Sequence, residues 1–179
     1  ERKDNYGMFS ENWIREASGK VGQIDRRYGN TGGTLTRGIE LDGSLRIDDA
    51  WQVVANYGWT DATADDSAFA TDAVLNVPEH SGSLFAIGRF DTAHGTTWSV
   101  MAGAAYVGDR AGALTLNPVR LPAYWKAKAA LEYGLTPQVT ARIEVDNLFD
   151  ERYAASSYSA LWIFHGAPRS VRASLRIAL

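Results

Sequence analysis

Polar and apolar residues alternate along most of this chain, in blocks. Across 36–48, Arg37, Ile39, Leu41, Gly43, Leu45 and Ile47 share one parity, while Thr36, Gly38, Glu40, Asp42, Ser44, Arg46 and Asp48 share the other. A period of two predicts a strand with one apolar and one wet face. The pattern returns at 51–60 on Trp51, Val53, Ala55, Tyr57 and Trp59, and at 98–106 on Trp98, Val100, Ala102, Ala104 and Tyr106. It returns again at 125–135 (Trp125, Ala127, Ala129, Leu131, Tyr133, Leu135), at 139–145 (Val139, Ala141, Ile143, Val145), and at 171–179, where Arg172, Ser174 and Arg176 oppose Val171, Ala173, Leu175, Ile177 and Leu179. In 83–90 both parities are apolar, Leu84, Ala86 and Phe90 on one and Phe85 and Ile87 on the other, so a strand is expected there with its facing open. Helical spacing is sustained nowhere over more than two turns. The reading is all-β, with about seven strands and a stub at the start.

The connections alternate in length. Short turns fall at 48–50, 91–95 and 134–137, and long loops at 5–34, 61–81, 108–121 and 150–168. An antiparallel meander built this way has two chemically different ends, as transmembrane β-barrels do. A soluble sandwich can alternate too, so the placement of aromatics decides. Trp51 and Trp59, Trp98 and Tyr106, and Trp125 and Tyr133 each share the apolar parity and bracket small or aliphatic residues. Eight residues cover about 26 Å of contour, or about 20 Å at a barrel's tilt, close to an apolar band between two aromatic girdles. The other parity carries Glu40, Asp42, Arg46, Lys126, Lys128, Glu132, Arg142, Glu144, Asp146, Arg172 and Arg176, both signs mixed, as in a watery or plugged lumen.

Composition adds exclusions. A net charge of -3, from 18 basic and 21 acidic residues without a basic stripe, argues against nucleic acid as a partner. The absence of cysteine rules out disulfides and thiolate metal sites. No apolar run approaches the length of a membrane-spanning helix, and "ERKDNYGMF" lacks the features of a signal peptide. The three histidines, His80, His94 and His165, belong to no paired-ligand or nucleophile motif, and His80 reads as a rim residue rather than a base. No enzyme is expected.

The tail "VDNLFDERY" (145–153), followed by "GAPR" (166–169) and an alternating terminal strand, resembles the C-terminal signature of TonB-dependent outer-membrane receptors. "YGNTGGTLTRGIELDGSLRI" and "LNVPEHSGSLF" are similar to further segments of that family, so the resemblance covers about 28–179. Within it the chain looks closest to ferric-siderophore receptors. The motif residues are Arg37, Gly38, Glu40, Asn147, Leu148, Phe149, Asp150, Tyr153, Gly166, Pro168 and Arg169, read as structural: Asn147 and Asp150 bonding nearby backbone, Tyr153 folding onto the rim, Gly166 and Pro168 redirecting the chain. The chain departs from the family in ending on Leu179 rather than an aromatic residue.

The resemblance implies an antiparallel transmembrane β-barrel, residues 1–179 forming the last seven to eight strands of a 22-stranded wall whose plug domain, TonB-contacting segment and earlier strands lie outside this chain. It implies import of a ferric siderophore across the outer membrane of a Gram-negative bacterium, driven through the TonB complex acting on the plug. Iron would enter only as a chelated ligand, with no resident cofactor or metal. The partners would be the siderophore, the TonB complex, the rest of the barrel and outer-membrane lipid. Cobalamin, haem or oligosaccharide receptors share the signature, and a small self-contained barrel or porin is the remaining alternative. Candidate ligand contacts are the aromatic and cationic residues of the long loops: Trp13, Arg110, Arg120, Tyr158, Trp162, Phe164 and His165.

Overall fold

The structure, a computed structural model, describes residues 2–3, 7–15, 21–30, 33–64, 72–92, 96–113 and 118–178, the first three segments as backbone only. Among the described residues, fourteen strands follow one another in chain order. They are β1 (Arg2–Lys3), β2 (Gly7–Arg15), β3 (Val21–Asn30), β4 (Thr34–Arg46), β5 (Trp51–Ala64), β6 (His80–Asp91), β7 (Thr97–Val107), β8 (Arg110–Ala113), β9 (Val119–Leu121), β10 (Tyr124–Gly134), β11 (Val139–Asp146), β12 (Ala154–Ser159), β13 (Trp162–His165) and β14 (Ser170–Ile177). Eight form one antiparallel sheet in the order β1-β4-β5-β6-β7-β10-β11-β14, a meander in which sequence neighbours are spatial neighbours. The other six form three two-stranded hairpins, β2-β3, β8-β9 and β12-β13. Three of the segments expected as long loops therefore carry paired strands of their own, all at one end of the meander.

The opposite end is closed by tight turns whose polar side chains satisfy the backbone. Asp48 Oδ1 accepts from Ala50 N at 2.8 Å and Trp51 N at 2.7 Å, and Thr136 Oγ1 accepts from Val139 N at 3.0 Å. Asp and Thr offer the chain this local alternative to ladder bonding, which is why the meander reverses there.

Register fixes the two faces. Trp98 lies opposite Tyr133 and Phe90, and Tyr106 opposite Trp125. Leu84, Ala86 and Phe90 pair with Ala104, Ala102 and Trp98, which resolves the open facing of β6: these residues join the apolar face, and Phe85 and Ile87 join the charged one. Phe85 fits on the charged face because its partner is Gly103, where a Cβ would collide with the Phe85 ring and the Leu84 carbonyl.

The apolar face is an outer surface, not a core. Ile39, Leu41, Leu45, Leu84, Ile143, Val171 and Leu175 are all exposed. Among the described residues the buried apolar side chains are Ala113 and Leu121, both in the β8-β9 hairpin. In water such a wall would be an aggregation surface, whereas in hydrocarbon it is the favourable arrangement, because the ladder satisfies the backbone within the sheet. Aromatic rings mark both margins of the wall. Trp51 meets Phe90 edge-on at 5.5 Å and Trp98 meets Tyr133 at 5.7 Å near the turns, while Tyr106 and Trp125 lie 4.8 Å apart near the hairpins. Among the described residues no helix is long and apolar enough to cross a membrane, which says nothing of strands.

On the charged face, β10, β11 and β14 form a ladder of opposite charges around Glu144. Arg142 reaches it at 2.6 Å, Lys128 at 3.0 Å and Arg172 at 3.5 Å. Lys128 also lies 3.4 Å from Asp146, and Arg142 3.6 Å from Glu132. Each of these six charges meets an opposite one across or along the strands, so they are neutralised locally while the face remains polar.

Candidate functional site

The hairpin end carries the features that can recognise a ligand. Its base is the turn after β11, where Asn147 and Asp150 have positive φ values of 52° and 54°. Asparagine and aspartate tolerate that region better than most residues. Asn147 is 2% exposed; its Nδ2 donates to Glu151 O at 2.9 Å and Ala167 O at 3.1 Å, and its Oδ1 accepts from Glu151 N at 2.9 Å. Asp150 Oδ1 accepts from Arg169 N at 2.8 Å, and Leu148 N donates to Ala127 O at 2.9 Å. One amide thus joins the exit from β11 to the entry into β14. Pro168 stands at that entry, and Phe149 projects outward, 78% exposed.

Tyr153 stacks on Tyr124 with ring centroids 4.2 Å apart. Its ring lies flat against Gly166, where any Cβ would occupy the ring itself, and Gly166 N donates to Tyr153 O at 2.8 Å. Glycine is required there by contact. In the upstream motif, Arg37, Gly38 and Glu40 lie opposite Asp61, Thr60 and Gly58, Arg37 and Glu40 both exposed.

Above this base, three separate segments interlock. Arg110 of β8 is 4% exposed; its Nη2 donates to Ala154 O at 2.7 Å and Ala155 O at 2.8 Å, and its guanidinium carbon lies 5.6 Å from the Tyr124 ring centroid. Asn76, at a positive φ of 62°, exchanges two hydrogen bonds with Ser157: Nδ2 donates to Ser157 O and Oδ1 accepts from Ser157 N, each at 2.8 Å. Asn76 N donates to Ala111 O at 2.9 Å, and the Ser157 hydroxyl donates to Gly112 O. Leu121 fills the space beneath, 1% exposed.

The remaining candidates divide by exposure. Tyr158 and Trp162 stack with centroids 5.7 Å apart and are 67% and 63% exposed; Leu161 and Phe164 are exposed beside them. His165, opposite Ala154, lines a groove of about 510 Å3 with Tyr153, Arg152 and Pro168. Arg120 pairs with Asp109, and both border a groove of about 400 Å3 with Arg110, Asp61, Glu79 and His80. Trp13 belongs to β2, of which the backbone alone is described; Leu179 and His94 lie outside the described residues.

Sequence reasoning did not single out Asn76, Ser157 or Tyr124. For Asn76 a signal existed, an asparagine just ahead of Val-Pro in a loop, where a turn of positive φ is at home. His80 forms part of the rim: it shares a 2.8 Å hydrogen bond with Tyr57 Oη and stacks on that ring, while the adjacent Glu79 accepts from Trp59 Nε1 at 3.2 Å. Among the described residues no group of three or more His, Asp or Glu side chains is arranged to hold a metal. The site can offer aromatic faces, a guanidinium and polar backbone to a ligand carried in from solution.

Comparison with known proteins gives this arrangement a context. Residues 6–148 match the family model described as TonB dependent receptor-like, beta-barrel. The metal-pseudopaline receptor of Pseudomonas aeruginosa is 35% identical over 155 residues, covering 84% of this chain and 22% of that protein. The ferrioxamine receptor of Yersinia enterocolitica is 28% identical over 156 residues, covering 83% and 21%. Among solved structures, the closed form of the ferric-catecholate import receptor Fiu from Escherichia coli K12 superposes with a TM-score of 0.72 at 24% identity, covering 98% of this chain and 24% of that one. The chain spans about a fifth of the length of the curated relatives it matches.

Proposed function

Since the chain belongs to the TonB-dependent receptor β-barrel family, we propose that it supplies wall and surface loops to an outer-membrane receptor that imports a ferric siderophore. The relatives are receptors and transporters, not enzymes. In this reading the chain is the C-terminal part of a larger barrel, and the plug domain and earlier strands are supplied by sequence outside it. The sheet's apolar face meets outer-membrane lipid, and the charged face lines the lumen against the plug. Transport draws its energy from the TonB complex through that plug. Iron travels as chelated cargo, without a resident cofactor.

The observation that carries the reading is the inside-out sheet crowned at one end by an interlocked loop cluster with exposed aromatic rings. Ligand contacts are proposed at Arg120, Tyr158, Trp162, Phe164 and His165, with Trp13 a further candidate from β2. Aryl faces of an anionic chelate suit stacking on Tyr158 and Trp162 and charge pairing with Arg120.

The test is growth of a receptor-deleted strain on a panel of ferric chelates under iron limitation. Complementation should restore growth on at least one siderophore class; restoration on cobalamin, haem or a glycan instead would overturn the siderophore reading. A second reading, a chelate of another metal, is favoured by the 35% identity to a protein named for metal-pseudopaline. The same panel with zinc, nickel and cobalt complexes separates the two.

A further inference from the structure

We infer that Asn76 and Arg110 are positioning residues: they lock the 72–79 segment, the β8-β9 hairpin and the β12-β13 hairpin into one body, so that the Tyr158–Trp162 pair meets its ligand preformed. The coupling stands on geometry alone, and the ligand half of the inference rests on the function proposed above.

Three observations converge on β12. Asn76 satisfies both the N-H and the C=O of Ser157, as a neighbouring strand would, although it lies 81 residues away in a different connection. Arg110 caps the carbonyls of Ala154 and Ala155 from β8, 44 and 45 residues away. The Ser157 hydroxyl, 5% exposed as a residue, closes the same contact onto Gly112. Every one of these bonds crosses between connections; the Ser157–Gly112 bond is buried and the others are part-buried, where a hydrogen bond is harder to exchange for solvent than at an open surface.

The next residue along the strand is Tyr158, whose exposed ring stacks on Trp162. Ser157 faces inward, and Tyr158 follows it at an irregularity in the β12-β13 register with its ring outward, so anchoring Ser157 anchors the backbone that carries the ring. The stacked pair is therefore held by Asn76 and Arg110 without touching either. A ligand that packs on a preformed aromatic face avoids the ordering cost that a free loop would impose. Asn76 suits the role doubly, because its side chain offers a donor and an acceptor and its backbone accepts a positive φ.

The experiment uses the receptor in outer-membrane extracts, with Asn76→Gly, which keeps the positive φ and deletes both side-chain bonds, and Asn76→Asp, which keeps the acceptor. Hydrogen exchange should become roughly tenfold faster across both 110–121 and 154–165 in Asn76→Gly, and less so in Asn76→Asp, with heat-modifiable migration of the barrel unchanged. Faster exchange confined to Ser157, or none, overturns the coupling. Binding is then measured with a ferric trihydroxamate and a ferric triscatecholate, each alone, in a cycle of Asn76→Gly, Trp162→Ala and the double variant. Asn76→Gly should weaken binding roughly tenfold, and the double variant no further than the weaker single one, because both changes remove the same oriented ring. Additive losses, or wild-type affinity in either single variant, overturn the positioning role. If the wild type binds neither chelate, the ligand half of the inference falls and the growth panel alone judges the proposed function, while the exchange result still judges the coupling.

Discussion

The sheet and the loop cluster above it solve the same problem in opposite ways. Along β4 to β14 the backbone is satisfied by neighbouring strands and the large apolar side chains face outward, Leu41 at 61% and Leu175 at 62% exposure. In the cluster the backbone is satisfied by side chains reaching between connections, and there Leu121 and Ala113 turn inward. The difference is one of solvent. Hydrocarbon removes the gain from hiding a leucine and raises the cost of an unpaired N-H, so the sheet keeps its ladder complete and its greasy side out. Water at the rim restores the ordinary rule, and the cluster builds a small core with buried polar struts.

The hardest blow to that contrast is a charge in the middle of the apolar face. Leu84 lies opposite Ala55, midway between Trp51 and Trp59, and Leu84→Arg should cost about 2–4 kcal/mol in equilibrium unfolding in lipid. Were the face in water, an already exposed leucine would accept arginine almost without effect. Next comes the rim: Asn147→Ala loses three side-chain hydrogen bonds and leaves alanine at positive φ. A loss of about 2–3 kcal/mol is expected, read as faster exchange of the Glu151 amide with the transmembrane amides unchanged.

Smaller is the effect at the charged face. Glu144→Gln leaves Lys128, Arg142 and Arg172 near one another without their shared carboxylate, and should lower the unfolding temperature most at low ionic strength. Salt screens charges in contact with water, and Glu144 is 8% exposed while its three cationic partners are more open, so the gap to wild type should narrow as salt rises without closing, whereas a dry face would keep it unchanged. At the turn end, Asp49→Ala breaks only the 3.9 Å exposed contact to Arg46, and stability should stay within about 0.5 kcal/mol of wild type.

How much of this was legible beforehand follows the same division. The long strands and the two girdles could be read from parity, because a strand with different solvents on its two sides must alternate. Only β6 resisted, and the reason is Gly103: a ring on the charged face is tolerated where the partner has no side chain, and pairing information is absent from a single strand's sequence. The hairpins within the long connections were not legible: β8, β9 and β13, of four residues or fewer, carry too few positions for a period to declare itself, and β2 and β3, of nine and ten residues, do not alternate cleanly. Arg110 shows the limit for sites. Its sequence context marks it as a loop cation, and only the fold reveals that one of its nitrogens serves two carbonyls of β12.

The bond between Asn76 and Ser157 has a bearing on the order of assembly. Strands of the sheet join their neighbours in chain order, so the wall can zip up hairpin by hairpin, each closure spanning a short turn or a single long connection. Asn76 and Ser157 are 81 residues apart, and between their attachment points stand β6, β7, β10 and β11. Contacts of such separation form after local ones, because chain entropy must be overcome first. The clasp closes only once the intervening strands are in register, and it records, at the surface, that the wall beneath has been laid correctly.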